Sequence, residues 1–228
     1  MADSNVRTPK CQVQVLDAPS EFESIDRFGR LGILEVATEF VCAEEIRKML
    51  PNGISTHINR IDNGQASLST VSQLRALADD VTRATGSILP DVGVHAVMFG
   101  CTSSGSVLGH AEINRLIRAA QPNARATDPF YASKLALKTI GATKISVLTP
   151  YLKPVDEQMC AELEAAGFEV LSFGGLGLGD RIERISKVPP SFLKKSALHI
   201  CHADADALFI SCTSVRIVDV IQEAVTAR

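Results

Sequence analysis

The stretch VMFGCTS, residues 97–103, is an apolar run that ends in a glycine, a cysteine and two hydroxyl residues. A second copy of its last three residues closes the stretch ALFISCTS, residues 207–214. The two cysteines, Cys101 and Cys212, lie 111 positions apart (212 − 101), close to half of the 228-residue chain. Each apolar run has the length of a buried strand, and a helical pattern follows each copy. The repeat therefore predicts two similar units, each with a thiol where a strand meets a helix.

Short apolar runs alternate with amphipathic segments along the rest of the chain. The predicted strands are residues 30–38, 55–61, 94–100, 144–149, 169–173 and 207–212, and the predicted helices are residues 39–50, 68–89, 105–120, 128–141, 155–167, 190–203 and 215–227. Strands that are apolar along their whole length are typical of parallel sheets covered by helices on both faces. The sequence therefore predicts an α/β fold.

The expected boundary between the two α/β units is the segment of residues 121–127. We expect an N-terminal extension over residues 1–29, a first α/β domain over residues 30–122 and a second over residues 123–214. The C-terminal helix, residues 215–228, is then available to pack back onto the first domain. The first 24 residues are polar and contain two prolines, which favours a loose or docked extension.

Composition and charge exclude several classes of function. The net charge of −3 and the absence of a dense basic face argue against nucleic-acid binding, as does an aromatic content of 5% without tryptophan. No apolar run approaches the ~18 residues of a membrane span, and no signal-peptide pattern is present. Six cysteines without paired spacing do not form a disulfide framework. These features predict a cytoplasmic protein with reduced thiols.

The position of the two thiols suggests chemistry. In parallel α/β sheets, ligands bind at the carboxyl ends of the strands. Unpaired N–H groups in the first turn of a following helix stabilise a thiolate, so we expect its pKa to fall from about 8.5 towards neutrality. The same N–H groups and the neighbouring hydroxyls would bind a carboxylate; these hydroxyls belong to Thr102, Ser103, Thr213 and Ser214.

A structural alternative treats Cys101 and Cys212 as small buried hydrophobes and the hydroxyl residues as helix caps, since free cysteine is often buried. The matched pair favours function instead. The other four cysteines, Cys11, Cys42, Cys160 and Cys201, have no such partner and are expected to be structural or incidental.

Beyond these residues, the chain resembles the aspartate/glutamate racemase superfamily over about residues 30–228. The resemblance rests on GCTS at residues 100–103, LTPY at residues 148–151 followed by Pro154, and SCTS at residues 211–214. The LTPY element is most similar to the branch of maleate cis-trans isomerases, arylmalonate decarboxylases and racemase-like proteins of ectoine utilisation. The resemblance implies two Rossmann-like domains related by a pseudo-twofold axis, an active site in the cleft between them, and neither a cofactor nor a metal.

Residue roles follow from the same resemblance. Cys101 and Cys212 match the two catalytic cysteines, and two cysteines favour an isomerase or racemase because the decarboxylases keep only the second. Tyr151, Thr102 and Ser103 match residues that contact substrate carboxylate. With these we group Thr213, Ser214, Thr38 and Glu39 as candidate substrate-binding residues.

One departure concerns the substrate. The isomerases and decarboxylases carry an asparagine in a Pro-Ser-Ser-Asn-Thr stretch after the first strand, where this chain has VATEF, residues 36–40. Glu39 in place of an amide would either repel a substrate carboxylate or pair with a substrate amine. Two chemistries therefore stay open on a small carboxylic acid: cis-trans isomerisation of maleate to fumarate, and racemisation of an amino acid or its derivative.

A non-catalytic relative that only binds a small acid is a third possibility. Relatives commonly form dimers or larger assemblies, so we expect a homo-oligomer, with no nucleic-acid or membrane partner.

Two further motifs are weak. The glycine-rich stretch GGLGLG, residues 174–179, lacks the final glycine of a dinucleotide loop, and we interpret it as a loop near the site. The stretch HICH, residues 199–202, has no second ligand cluster at zinc-like spacing, so no metal site is predicted. Arg181 and Arg184 are expected near the mouth of the cleft, where they either attract an anion or are simply solvated.

Overall fold

The structure, a computed structural model, describes residues 11–62, 68–218 and 221. Strands and helices alternate through this part of the chain, as predicted. The first half contains β1 (Gly29–Val36), α1 (Cys42–Met49), β2 (Ile54–Ile61), α2 (Val71–Ala76), α3 (Ala78–Gly86), β3 (Ala96–Phe99), α4 (Thr102–Leu108), α5 (His110–Ala120) and β4 (Arg125–Thr127). The second half contains α6 (Pro129–Thr139), β5 (Lys144–Thr149), α7 (Lys153–Ala165), β6 (Glu169–Gly175), α8 (Ile182–Ser186), α9 (Pro190–Ile200) and β7 (Ala207–Ile210).

The strands form two parallel sheets, which confirms the α/β prediction. The first sheet has the order β2-β1-β3-β4 and the second has the order β6-β5-β7. In both sheets the first strand in the chain lies between the second and the third, so the two halves share one winding. In each half the third strand therefore ends next to the first, and this is the strand that each Cys-Thr-Ser copy follows.

The structure differs from the prediction where two long predicted helices are each divided in two and where a short strand was not predicted. The predicted helix over residues 68–89 is two helices, α2 and α3, that meet at Leu77. The predicted helix over residues 105–120 is α4 and α5, because Gly109 between them has a φ of 78° that no α-helix adopts. The expected boundary segment includes β4, which pairs with β3 and extends the first sheet past residue 122.

A continuous apolar core joins the two sheets. It runs from Leu34 and Phe99 in the first sheet to Val147 and Phe209 in the second. A smaller cluster around Ile185 and Val215 lies beside it and contacts Cys212. Within the described residues, no helix has the length and apolar character that crossing a membrane requires. Most of the predicted C-terminal helix lies outside the described residues.

Candidate active site

The first cysteine lies at the junction of β3 and α4, as predicted. Cys101 is the residue that precedes α4, and its side chain is buried. The backbone before it is held close to β1, because the Gly100 N–H donates to the Leu34 carbonyl at 2.7 Å. A Cβ on Gly100 would lie only 2.8 Å from that carbonyl oxygen, so this approach requires glycine. The Cys101 Sγ lies 3.6 Å from the Ser103 Oγ.

The second cysteine follows β7, but the backbone around it differs. The Ser211 N–H donates to the Leu148 carbonyl at 2.9 Å, which is the counterpart of the Gly100 bond. Cys212 then takes a φ of 103°, which is uncommon for a residue with a side chain. The predicted helix does not start at Val215, since residues 213–217 form a turn and coil. The Ser214 N–H donates to the Cys212 Sγ at 3.4 Å.

Both sulfur-bearing residues line one pocket. Eight of the nine candidate site residues contribute to its wall: Cys101, Cys212, Thr102, Ser103, Tyr151, Thr213, Ser214 and Glu39. The ninth, Thr38, is half-buried and is not among the described residues that line the pocket. The remaining wall consists of aliphatic residues and glycines that were not candidate site residues: Val36, Leu68, Gly100, Gly179, Ile182 and Ile185. Gly100 belongs to the first Cys-Thr-Ser stretch and Gly179 to the glycine-rich loop expected near the site, whereas Leu68, Ile182 and Ile185 carried no signal in the sequence.

Bonds between the two halves hold the second cysteine loop against the first half. The Thr213 hydroxyl donates to the Gly100 carbonyl at 3.0 Å. The Ser214 hydroxyl donates to the Glu39 Oε2. A few residues later, Ile217 and Val218 donate their N–H groups to the Glu45 Oε2 at 3.1 and 3.0 Å. These bonds bring residues of both halves into one wall.

Glu39 is a buried carboxylate at the beginning of α1. Its Oε1 accepts the N–H groups of Phe40, Val41 and Cys42 at 2.8, 2.9 and 3.3 Å. The helix predicted over residues 39–50 starts later, at Cys42. Glu39 itself lies outside the helix, where its side chain accepts the unpaired N–H groups at the helix start. Hydrogen bonds from N–H donors stabilise the negative charge of a carboxylate.

Tyr151 brings a phenol to the pocket from the loop after β5. Its hydroxyl lies 3.2 Å from the Ser211 Oγ, and its side chain is buried. The Tyr151 N–H donates to the Thr149 Oγ1 at 3.3 Å, and the Thr149 hydroxyl donates in turn to Asp156. Burial raises the pKa of Asp156 to about 6. The glycine-rich loop covers this turn, since the Leu178 N–H donates to the Pro150 carbonyl at 2.8 Å.

The expected lowering of the thiol pKa values is wrong. Burial raises the pKa of Cys101, and backbone N–H groups of Ser104 and Ser103 offset this only in part. Burial likewise raises the pKa of Cys212 to about 12, and the charge of Glu39 adds to the rise at both sulfurs. The prediction counted the N–H donors but not the loss of solvent, which is the larger effect here.

One polar atom in the wall has no hydrogen-bond partner. The Thr102 Oγ1 is the single buried side-chain oxygen or nitrogen of the described residues left without one. A buried hydroxyl without a hydrogen-bond partner destabilises the folded protein by about 1–3 kcal/mol, unless a ligand binds it. Because Thr102 lines the pocket, a ligand oxygen is the natural partner.

Within the described ranges, no group of three or more histidine, cysteine, aspartate or glutamate residues is placed to hold a metal ion. Arg184 lies on α8, the helix whose Ile182 and Ile185 line the pocket, and its guanidinium pairs with Asp180 at 3.3 Å.

Comparisons with known sequences agree with the resemblance. A family model described as arylmalonate decarboxylase matches residues 73–227, more than half of the chain. A maleate isomerase of Nocardia farcinica is 27% identical over 131 residues, which are 54% of this chain and 52% of that protein. A maleate isomerase of Alcaligenes faecalis is 32% identical over 89 residues, 39% of this chain and 35% of that protein. The chain thus spans about half the length of the curated relatives it matches, or less.

Solved structures share the fold. The maleate isomerase of Pseudomonas putida with maleate has a TM-score of 0.75 at 17% identity, covering 87% of this chain and 83% of that one. A Nocardia farcinica maleate cis-trans isomerase mutant with a covalently bound succinylcysteine intermediate has a TM-score of 0.75 at 18% identity, with 87% and 84% covered. A liganded mutant of arylmalonate decarboxylase has a TM-score of 0.71 at 20% identity, with 87% and 83% covered.

Proposed function

The chain belongs to the arylmalonate decarboxylase family, whose members are enzymes, and we propose that it is a cofactor-independent isomerase of a small carboxylic acid that uses Cys101 and Cys212. The observation that carries this proposal is the single pocket lined by both cysteines and by the hydroxyl residues that follow them. Both halves contribute residues to the wall of this pocket, which supports the expectation of a site between the two units. A binder without catalysis has no need for two thiols at one ligand.

The first step we propose is anchoring of a substrate carboxylate. The unpartnered Thr102 hydroxyl donates to one carboxylate oxygen, and Ser103 lies beside it in the same wall. Tyr151 donates from the opposite half. Donors fixed before the substrate arrives stabilise the negative charge that develops during the reaction.

For a cis-alkene acid, the chemistry is reversible addition of sulfur. One cysteine reacts through its thiolate, which is the minor form at neutral pH because burial raises its pKa, and forms a C–S bond to one alkene carbon, while the other cysteine gives its proton to the neighbouring carbon. The former double bond is now single and rotates. The second cysteine then takes the proton back, the C–S bond breaks, and the trans acid and the first thiolate are released. Protons and electrons balance over the cycle, so no cofactor enters it. The covalent succinylcysteine described for the Nocardia farcinica enzyme is the kind of adduct this scheme requires.

Racemisation is the second candidate, and the carboxylate of Glu39 in the pocket wall favours it. One thiolate would remove the proton next to the carboxylate while the other thiol protonates the opposite face. An ammonium group on such a substrate would pair with Glu39. Both candidates use the same two sulfurs.

Proton NMR in deuterated water separates the candidates. We would incubate the protein with maleate, its half-amide and single enantiomers of small amino acids. Conversion of a cis to a trans alkene identifies the isomerase, and deuterium at the α-carbon with loss of optical rotation identifies the racemase. Cys101→Ser and Cys212→Ser should each lower turnover by about a thousandfold or more, because neither half of the proton cycle is then complete. Near-normal turnover by either variant contradicts the two-cysteine proposal.

A further inference from the structure

Glu39 differs from every other residue in the pocket wall by its charge. Among the described residues that line the pocket, the rest are hydroxyl, thiol, phenol, glycine or aliphatic residues, and none is a lysine, arginine or histidine. Glu39 is 4% exposed. A ligand therefore meets one fixed negative charge and no compensating positive side chain in this part of the wall.

The negative charge of Glu39 is locked in place. Its Oε1 accepts three backbone N–H groups at the beginning of α1, and its Oε2 accepts the Ser214 hydroxyl. Ser214 in turn donates its N–H to the Cys212 sulfur at 3.4 Å. The carboxylate thus cannot swing away from a ligand without breaking the contact between the two halves. Its field reaches both reactive sulfurs, since it raises the pKa of Cys101 and of Cys212.

A ligand with two carboxylates is poorly matched to this wall. One carboxylate has a partner in the free Thr102 hydroxyl. A second carboxylate would bring a like charge towards Glu39, and the burial of this wall weakens solvent screening between the two charges, which is unfavourable. An N–H donor at the same end of the ligand would instead be attracted to the carboxylate.

We propose that Glu39 determines specificity: the pocket takes a small acid with one carboxylate and an N–H-bearing group at the end that faces Glu39. This inference rests on the proposed function, because it names the substrate class of the same pocket. The N–H group has two possible chemical forms, the amide of a half-amide and the ammonium of an amino acid. Both donate to a carboxylate, and both lack the second negative charge.

A pair of nearly isosteric ligands tests the proposal. Maleate and its half-amide differ by the exchange of one carboxylate oxygen for an NH2 group. We would measure the dissociation constants of maleate, the half-amide and 2-aminobutyrate by ligand-observed NMR, and follow alkene isomerisation and α-deuteration in the same samples. The native protein should bind the half-amide or 2-aminobutyrate at least about tenfold more tightly than maleate. The ligand that does so identifies the amide or the ammonium form.

Two variants assign the preference to the charge. Glu39→Gln keeps the shape and an acceptor for the N–H groups, so the preference over maleate should disappear or reverse. Glu45→Gln is the matched control, because Glu45 is also a buried carboxylate that joins α1 to the C-terminal segment but does not line the pocket. It should keep the native preference. If Glu45→Gln loses the preference equally, a general loosening of the two halves explains it and the proposal is wrong.

The outcomes also separate this inference from the proposed function. Tighter binding and faster turnover of maleate than of both N–H-bearing ligands overturns the specificity inference and leaves the isomerase standing. Glu39-dependent preference for an N–H-bearing ligand, with neither isomerisation nor α-deuteration, supports the inference and contradicts the isomerase. Equal binding of all three ligands overturns the inference.

Discussion

The two Cys-Thr-Ser copies begin alike and then diverge. In each, the residue before the cysteine donates its N–H to a carbonyl of an inner strand of its own sheet. Gly100 donates to Leu34 of β1 at 2.7 Å, and Ser211 donates to Leu148 of β5 at 2.9 Å. Cys101 continues in extended backbone, with a φ of −134°, directly into α4. Cys212 turns to a φ of 103°, and no helix follows it before residue 218.

The contacts that hold the two Cys-Thr-Ser loops in place differ accordingly. The first copy is held by its own half, since Cys101 is followed at once by a helix and its loop is fixed to β1. The second copy has the corresponding bond to β5 but no helix directly after it, and its two hydroxyls bond to the other half, Thr213 to Gly100 and Ser214 to Glu39. A repeat in sequence has thus given one self-supporting loop and one loop that needs its partner. We expect the two cysteines to respond differently to the same kind of change.

The largest difference is expected at the residue before each cysteine. Gly100→Ala should lower the free energy of unfolding by about 2 kcal/mol, because the new Cβ would lie 2.8 Å from the Leu34 carbonyl oxygen and the tightly packed backbone must shift. Ser211→Ala is the matched change in the second copy. It removes the hydroxyl that lies 3.2 Å from the Tyr151 hydroxyl, which keeps the Cys212 side chain as a second hydrogen-bond partner, and should therefore cost only about 1 kcal/mol. Urea unfolding measures both. Equal losses would show that the two copies tolerate this position alike.

An intermediate effect is expected on thiol reactivity. Glu39→Gln removes the negative charge that raises the pKa of Cys101 and Cys212, so a larger fraction of each thiol is ionised at pH 8. Alkylation of both cysteines by iodoacetamide should become severalfold faster, since a fall of one pKa unit increases the thiolate about tenfold. Site-resolved mass spectrometry follows the reaction, and the exposed Cys11 serves as the internal reference.

The control for this experiment is Glu45→Gln, which changes a buried carboxylate outside the pocket wall. A similar gain in reactivity there would mean that easier access of the reagent, rather than the charge of Glu39, sets the rate.

The fold could be predicted from the sequence because it depends on local patterns, whereas candidate site residues such as Tyr151 and Glu39 came from the family resemblance. Apolar runs that alternate with amphipathic segments predict a parallel α/β fold, and the ends of its strands bring both Cys-Thr-Ser copies to one site. The sequence could not predict the pKa of either thiol, because that depends on how much solvent the assembled halves exclude. The hydrogen bond between Glu39 and Ser214, which lie 175 positions apart (214 − 39), also has no local signal in the sequence.

The start of α1 was placed too early for a local reason. Sequence reasoning began α1 at Glu39, whereas the side chain of that residue accepts the first N–H groups and delays the helix to Cys42. A glutamate within three residues of a helix start has several local roles, and the sequence pattern does not say which of them it takes.

The smallest expected effect isolates the backbone difference between the cysteines. At Cys212, with a φ of 103°, a residue with a Cβ is strained, and glycine is not. Cys212→Gly should therefore be more stable than Cys212→Ala by about 1 kcal/mol. At Cys101 the order should reverse by about 0.5–1 kcal/mol, because extended backbone suits alanine and glycine gains more freedom on unfolding. All four variants lack one thiol, so urea unfolding compares them without regard to activity. If the alanine variant is more stable than the glycine variant at both positions, the two loops share one backbone conformation in solution, which contradicts the divergence between the copies.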